Sequence, residues 1–232
     1  MSIQIITKRV SHFEQNARLI IDTDTNQSMI IDPGADSETL FNLIADTKLT
    51  TIFLTHCHID HAGGVKSLLA LIEHHNMAKP TLLYHSNEII IGEHIEIFAT
   101  QYGFSAADYQ NPPQPDQLAD NLTTLSLGSS TFKILFTPGH APGHLALFYD
   151  QDDFRLTGDY PETLQCNRLL IAGDTLFQGS IGRTDLPMAN HDQLINSIKS
   201  QLLTLPKTTL VCPGHGPNTT IENEAKSNPF LN

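Results

Sequence analysis

The sequence predicts an α/β fold, and three observations predict it. Short β-rich runs alternate with helical patterns along the chain. The apolar runs have strand length and end in glycine, proline or polar clusters. Histidines and aspartates able to do chemistry stand just past the ends of those runs, where α/β sheets build their sites.

The elements follow in chain order. "ARLIID" and "SMIIDPG" read as two strands around the polar turn "TDTNQ", and "SETLFNLIADT" as a helix with Ser37 at its N-cap. "LTTIFLT" is a buried strand, "GGVKSLLALIEHH" an amphipathic helix, and "TLLYHS" a strand leading into the apolar-periodic "NEIIIGEHIEIFATQYG". Residues 104–121, with three prolines, form a surface loop that either borders a cleft or is a plain linker. "TLSLGSSTFKILFTPGH", "HLALFYD", "RLLIAGD" and "TTLVCPGHG" are β-rich, with the helix "HDQLINSIKSQLLTL" between the last two. "DQDDFRLTGDYPETLQCN" reads as a long insertion on one edge. There is no clear repeat, and one domain over residues 1–232 with two sheet layers is the simplest account.

Composition narrows the function classes. No apolar run approaches the roughly eighteen residues that cross a bilayer. In "MSIQIITKRVSHFEQNARLII" the basic residues follow a short apolar run, unlike a secretory leader. The net charge of −12 repels phosphate backbones, so nucleic-acid partners are disfavoured. The three cysteines, Cys57, Cys166 and Cys212, form no CxxC, which fits a reducing cytoplasm better than a disulfide framework.

The densest chemistry lies in "FLTHCHIDHAGG". On an extended segment His56 and His58 point to the same side, and Asp60 and His61 fall in the following turn, so one peptide serves two adjacent metal positions. With each position met by chance in roughly one residue of twenty, this pattern arises about once per thousand chains of such length. Three more candidates end later apolar runs: His140 in "ILFTPGH", Asp174 in "LLIAGD" and His215 in "LVCPGHG". Each alone is an ordinary loop residue; together, all at strand ends beside glycine or proline, they make a ligand set.

The ordered set His-x-His-x-Asp-His, then His, Asp and His, resembles the metallo-β-lactamase superfamily over nearly the whole chain. The resemblance implies an αβ/βα four-layer sandwich with a two-metal site at one edge. It implies that His56, His58 and His140 hold one ion, Asp60, His61 and His215 the other, and that Asp174 bridges them. The ions are divalent, zinc first, with iron and manganese accepted by the same ligand types. "GDTLFQGSIGRTDLP" is similar to the corresponding region of glyoxalase-II-like hydrolases and persulfide dioxygenases, and "CPGHGPNTTIENEAKSNPFLN" to short glyoxalase-II-like bacterial proteins.

The implied reaction is hydrolysis of a small thioester such as S-lactoylglutathione to a hydroxy acid and a thiol. A hydroxide held between two such ions is nucleophilic at neutral pH, because metals lower the pKa of water from about 15.7 towards about 7. Asp60 and Asp174 are the catalytic candidates, Asp60 orienting the nucleophile. Arg183 is the substrate-binding candidate, although its nearness to Asp185 favours a structural ion pair. His144 is expected to support the site by hydrogen bonding, Cys57 to pack beside it, and His74, His75, His85, His94 and His191 to be surface or core. Long glyoxalase II enzymes hold glutathione largely through an added C-terminal helical region that the residues after His215 do not resemble, so the thiol moiety stays open. The rivals are a mononuclear iron persulfide dioxygenase, a lactonase or esterase, a ribonuclease, a flavodiiron reductase and a non-enzymatic metal-binding protein. A glutamate where this chain has His58 would mark the flavodiiron class.

Overall fold

The computed structural model describes residues 2–161 and 166–231. Its strands are β1 (Ile3–Val10), β2 (Gln15–Asp22), β3 (Gln27–Ile31), β4 (Lys48–Phe53), β5 (Thr81–Tyr84), β6 (Gln117–Leu118), β7 (Thr124–Leu127), β8 (Ser130–Phe136), β9 (Leu145–Tyr149), β10 (Phe154–Gly158), β11 (Arg168–Gly173), β12 (Leu176–Phe177), β13 (Ser180–Ile181), β14 (Thr209–Pro213) and β15 (Thr219–Thr220). The helices are α1 (Ser37–Ile44), α2 (Ile59–Ala62), α3 (Val65–His74), α4 (Ile89–Gly92), α5 (Ile95–Gln101), α6 (His191–Ser197), which runs on through a π turn over Ile198–Leu202, and α7 (Ile221–Ser227).

Seven strands form one sheet in the order β10-β1-β2-β3-β4-β5-β6, and six form a second in the order β15-β14-β11-β9-β8-β7. Successive side chains of a strand face opposite ways, so each sheet has two apolar faces to bury. Ile20, Met29, Ile31 and Phe53 of the first sheet share a core with Phe132, Leu147, Leu169 and Ile171 of the second. Their neighbours Leu19, Ile30 and Ile52 point the other way, onto Leu40 and Ile44 of α1 and Val65 and Leu68 of α3. On the far side Phe148, Leu170 and Val211 pack against Leu194 of α6, Ile198 and Ile221 of α7. Each such fully buried aliphatic side chain contributes about 2 kcal/mol of transfer free energy. Helix, sheet, sheet and helix stack in that order, the αβ/βα four-layer sandwich.

Several local features differ from the expectation. The N-terminal run forms β1, an unanticipated strand whose Ile3, Ile5 and Thr7 alternate inward. The segment expected to be an insertion supplies β10, which leaves the second sheet and pairs in parallel with β1 as an edge of the first. Residues 162–165 of that segment lie outside the described residues. Ser37 does not cap α1, because the boundary residue is Asp36 at φ 51; the Ser37 hydroxyl donates to Gly64 O at 3.1 Å instead. Residues 104–121 are a surface loop apart from β6 and from the buried Tyr109, Pro112 and Ala119. Among the described residues no helix is long and apolar enough to cross a membrane.

Candidate metal centre

Four strands end at one edge of the sandwich, and each hands over a chemical group. β4 ends at Phe53 and leads to His56 and His58, followed by Asp60 and His61 on the short helix α2. β8 ends before Thr137-Pro138-Gly139-His140, β11 ends at Gly173 before Asp174, and β14 ends at Pro213 before Gly214-His215. β11 and β14 are parallel neighbours, which brings Asp174 beside His215. Gly214 permits the approach: a Cβ there would lie 2.0 Å from Asp174 Oδ1 and 2.7 Å from His61 Cε1.

All seven side chains singled out in the sequence converge. Three sets of potential ligand atoms lie within 4.8 Å of one another: His56, His58 and His140; Asp60, His61 and His215; and His56, His61 and Asp174. One oxygen of Asp174, Oδ2, stands 3.6 Å from His140 Nε2 and 3.6 Å from His215 Nε2, between the first two sets. Asp60 Oδ2 lies 3.0 Å from His215 Nε2.

Hydrogen bonds at the outer ring nitrogens aim the histidines. His61 Nδ1 donates to Asp32 Oδ2 at 2.9 Å, His140 Nδ1 to Arg183 O at 2.8 Å, and His215 Nδ1 to Phe13 O at 3.1 Å. Thr55 Oγ1 gives its proton to Asp32 Oδ2 at 2.7 Å, so it accepts from His56 Nδ1 at 3.0 Å. These partners assign the proton to Nδ1 and leave four Nε2 lone pairs directed inward. His58 instead presents Nδ1, 2.9 Å from His140 Nε2.

Electrostatics divide the set. Burial, with the neighbouring imidazoles, holds His56 well below the usual histidine range and pushes His58 down to about 3. Burial also lowers His140, against the opposing pull of Asp174. These rings are neutral, the form that ligates metal. At His61 and His215 burial is outweighed by carboxylates, Asp174 foremost, and both pKa values rise. Burial likewise opposes ionisation of Asp60 and Asp174, but His61 leads the positive groups that hold both below the usual carboxylate range. A field that raises the proton affinity of His61 and His215 equally favours a cation at their inward nitrogens.

The donor set fits a metal. His56 Nε2, His61 Nε2 and Asp174 Oδ1 are buried polar atoms without an aligned hydrogen-bond partner, even though the last two are only 3.3 Å apart. An unsatisfied buried polar atom costs about 1–3 kcal/mol, so three converging on one point need a shared partner such as a cation.

The supporting residues are also in place. Asp174 N–H donates to His144 Nε2 at 3.0 Å, and His144 Nδ1 donates to Thr137 Oγ1 at 2.9 Å, so His144 positions Asp174 without joining the three sets. Cys57 is fully buried in the core beneath the site. Arg183 forms a two-pronged ion pair with Asp185 at 2.7 and 2.8 Å, and also lines the cleft above the site. His94, expected to be structural, lines that cleft too, whereas the 104–121 loop does not.

Asp32, Glu88, Asn16 and Arg18 were not singled out by the sequence pattern. Asn16 and Arg18 on β2 both donate to Pro213 O, at 3.1 and 2.7 Å, and so fix the strand end that carries His215. Asp32 had a signal: "IIDPG" ends a strand beside proline and glycine, as do the segments that pointed to His140 and His215.

Residues 13–160 and 162–215 match the family model of the metallo-beta-lactamase superfamily. The chain belongs to that superfamily. Among its relatives, "Hydroxyacylglutathione hydrolase GloC" of Haemophilus influenzae is 35% identical over 236 aligned positions, which cover 100% of this chain and 99% of the relative. The structure is similar to that of the BLEG-1 B3 metallo-beta-lactamase, with TM-score 0.79 and 31% identity over 98% of this chain and 99% of the other. It is also similar to TTHA1623 in a di-iron-bound form, with TM-score 0.76 and 31% identity over 97% and 99% of the two chains.

Proposed function

We propose that the chain is a metal-dependent hydrolase of small thioesters, of the S-lactoylglutathione type. The observation that carries this reading is the position of Asp174 Oδ2, equally 3.6 Å from His140 and His215, which supports a bridging role for this carboxylate between two three-residue sets. His56, His58 and His140 would hold one ion and Asp60, His61 and His215 the other. Bound divalent cations supply Lewis acidity, lowering the pKa of water towards about 7 and polarising a carbonyl.

The chain's own residues do the rest. Asp60 presents a carboxylate at the cleft floor, able to orient a water by accepting its proton. His144 and Asp32 fix the groups behind the ligands. A thiolate leaving group, with pKa near about 8.5, departs without a strong general acid. This suits a cleft whose polar lining beyond the ligands, among the described residues, is His94, Tyr102, Ser180 and Arg183. The kinship with a protein named hydroxyacylglutathione hydrolase supports the thioester over other acyl compounds. Zinc is the proposed metal, with iron the alternative that the di-iron form of TTHA1623 favours.

The test is elemental analysis of the purified protein together with an S-lactoylglutathione hydrolysis assay on the same sample. About two metals per chain with turnover is the expected result. One iron per chain, no thioester hydrolysis and oxygen uptake with a persulfide would replace this reading with a dioxygenase.

A further inference from the structure

The cleft above the metal centre has a volume of about 570 Å³, within the range that holds a drug-sized ligand. Its floor is ligand residues. Its walls are largely apolar: Ile90, Phe98 and Tyr102 on α4, α5 and the turn after them line it together with Phe177, Leu186 and Met188. Ile90, Tyr102 and Met188 are 52%, 57% and 54% exposed, so three large apolar side chains gather at one rim facing water. Exposed apolar groups collected at a concave rim mark a ligand groove more often than a surface accident. Met188 also has φ 66, a backbone state that costs a non-glycine residue about 1 kcal/mol or more, and it holds this side chain at the rim.

Charge in the cleft points the same way. Arg183 is the one Lys or Arg among the described residues lining it, and its guanidinium is shared with Asp185 through two bonds. Among the described residues the walls therefore offer the carboxylates of glutathione no cation that is free of a competing carboxylate.

We propose that the cleft selects thioesters bearing an apolar group of hexyl or phenyl size, on a neutral thiol in preference to glutathione. This rests on the thioester-hydrolase reading for its chemistry but on the wall residues for its selectivity. Remote apolar contact orients the scissile carbonyl over the ligand floor and excludes water around it.

The test separates binding from turnover. Calorimetry on the metal-loaded protein compares uncleavable S-hexyl-N-acetylcysteamine with S-methyl-N-acetylcysteamine. Each buried methylene strengthens binding about fourfold, so burial of two suffices for at least about a tenfold tighter hexyl compound with a negative heat-capacity change. Ile90→Asn and Tyr102→Ser, both at exposed positions, should each lower the hexyl-to-methyl ratio about threefold or more without changing metal content. A ratio near unity, or one that both variants leave intact, overturns the selectivity. On the turnover side, hexanoyl-N-acetylcysteamine should exceed S-lactoylglutathione in kcat/KM about tenfold or more. Faster S-lactoylglutathione turnover overturns the inference and leaves the hydrolase reading standing; hexyl-selective binding with no thioester hydrolysed overturns the hydrolase reading alone.

Discussion

Asp32 Oδ2 accepts from both His61 Nδ1 at 2.9 Å and Thr55 Oγ1 at 2.7 Å, while its Oδ1 accepts the Thr55 backbone N–H at 2.7 Å. One buried carboxylate thereby orients a histidine of one ligand set directly and, through Thr55, His56 of the other. Asp32→Asn leaves one oxygen for three donors, so its NH2 faces either the Thr55 N–H or the protons of His61 and the Thr55 hydroxyl. Either orientation disturbs the bonds that aim His61 and, through Thr55, His56. Metal affinity should fall by about 10–100-fold, read by competition with a chromogenic chelator, with the far-UV circular dichroism unchanged. Wild-type affinity in that variant would show that Asp32 is only a structural carboxylate.

Asp174 is the group shared by the two sets, so its removal tests whether they form one centre. In Asp174→Ala, both contacts of Oδ2, to His140 and His215, disappear together. Metal content should drop from about two per chain to one or none, and thioester turnover by about a thousandfold or more, with the fold retained. Unchanged turnover would sink the dinuclear arrangement.

How much of this was legible in the sequence depends on the range over which each feature is written. The convergence of His56, His58, Asp60 and His61 was legible because a single peptide carries them, and His140, Asp174 and His215 because each follows an apolar run beside glycine or proline. β1 was legible in principle, since Ile3, Ile5 and Thr7 alternate, although its apolar stretch is short and runs straight into Lys8 and Arg9. Glu88 was not legible: its partners Cys57 and Gly143 are 31 and 55 positions away, and nothing local marks a glutamate for burial. The cleft wall was hidden for a different reason. Ile90, Phe98 and Tyr102 have the spacing of a core-facing helix, and only the break into α4 and α5 shows which of them face the opening.

The close passage at Gly214 gives a steric prediction. A Cβ at this position would fall 2.0 Å from Asp174 Oδ1, far inside contact distance, and 2.7 Å from His61 Cε1. Gly214→Ala must therefore push the Asp174 carboxylate, the His61 ring or the β14 end out of place. Metal affinity should fall by about tenfold or more, and misplacement of the ligands by an ångström should lower turnover about a hundredfold. Full metal content with wild-type turnover would mean that this loop yields freely.

Glu88 is fully buried, with Oε2 accepting the Cys57 N–H at 2.8 Å and Oε1 the Gly143 N–H at 2.6 Å, so it ties the loop after β4 to the loop after β8. Burial pushes its pKa from an ordinary 4.5 up to about 7, only partly opposed by those two N–H groups. Between these values the folded chain keeps a proton that the unfolded chain has released. Stability from this group is therefore complete below the unfolded pKa of 4.5 and is lost as pH rises through about 7. Glutamine does not titrate, but its NH2 must face one of the two N–H donors that the carboxylate accepts, a cost that does not change with pH. In metal-free protein the stability of Glu88→Gln relative to wild type should therefore rise by about 2–3 kcal/mol between about pH 5 and about pH 8, starting from the offset that this fixed cost sets at the acid end. Denaturant melts of the two proteins across that window read the difference, in which the titrations common to both cancel. A stability difference that stays flat with pH would mean that Glu88 is ionised throughout and that its two backbone bonds outweigh its burial.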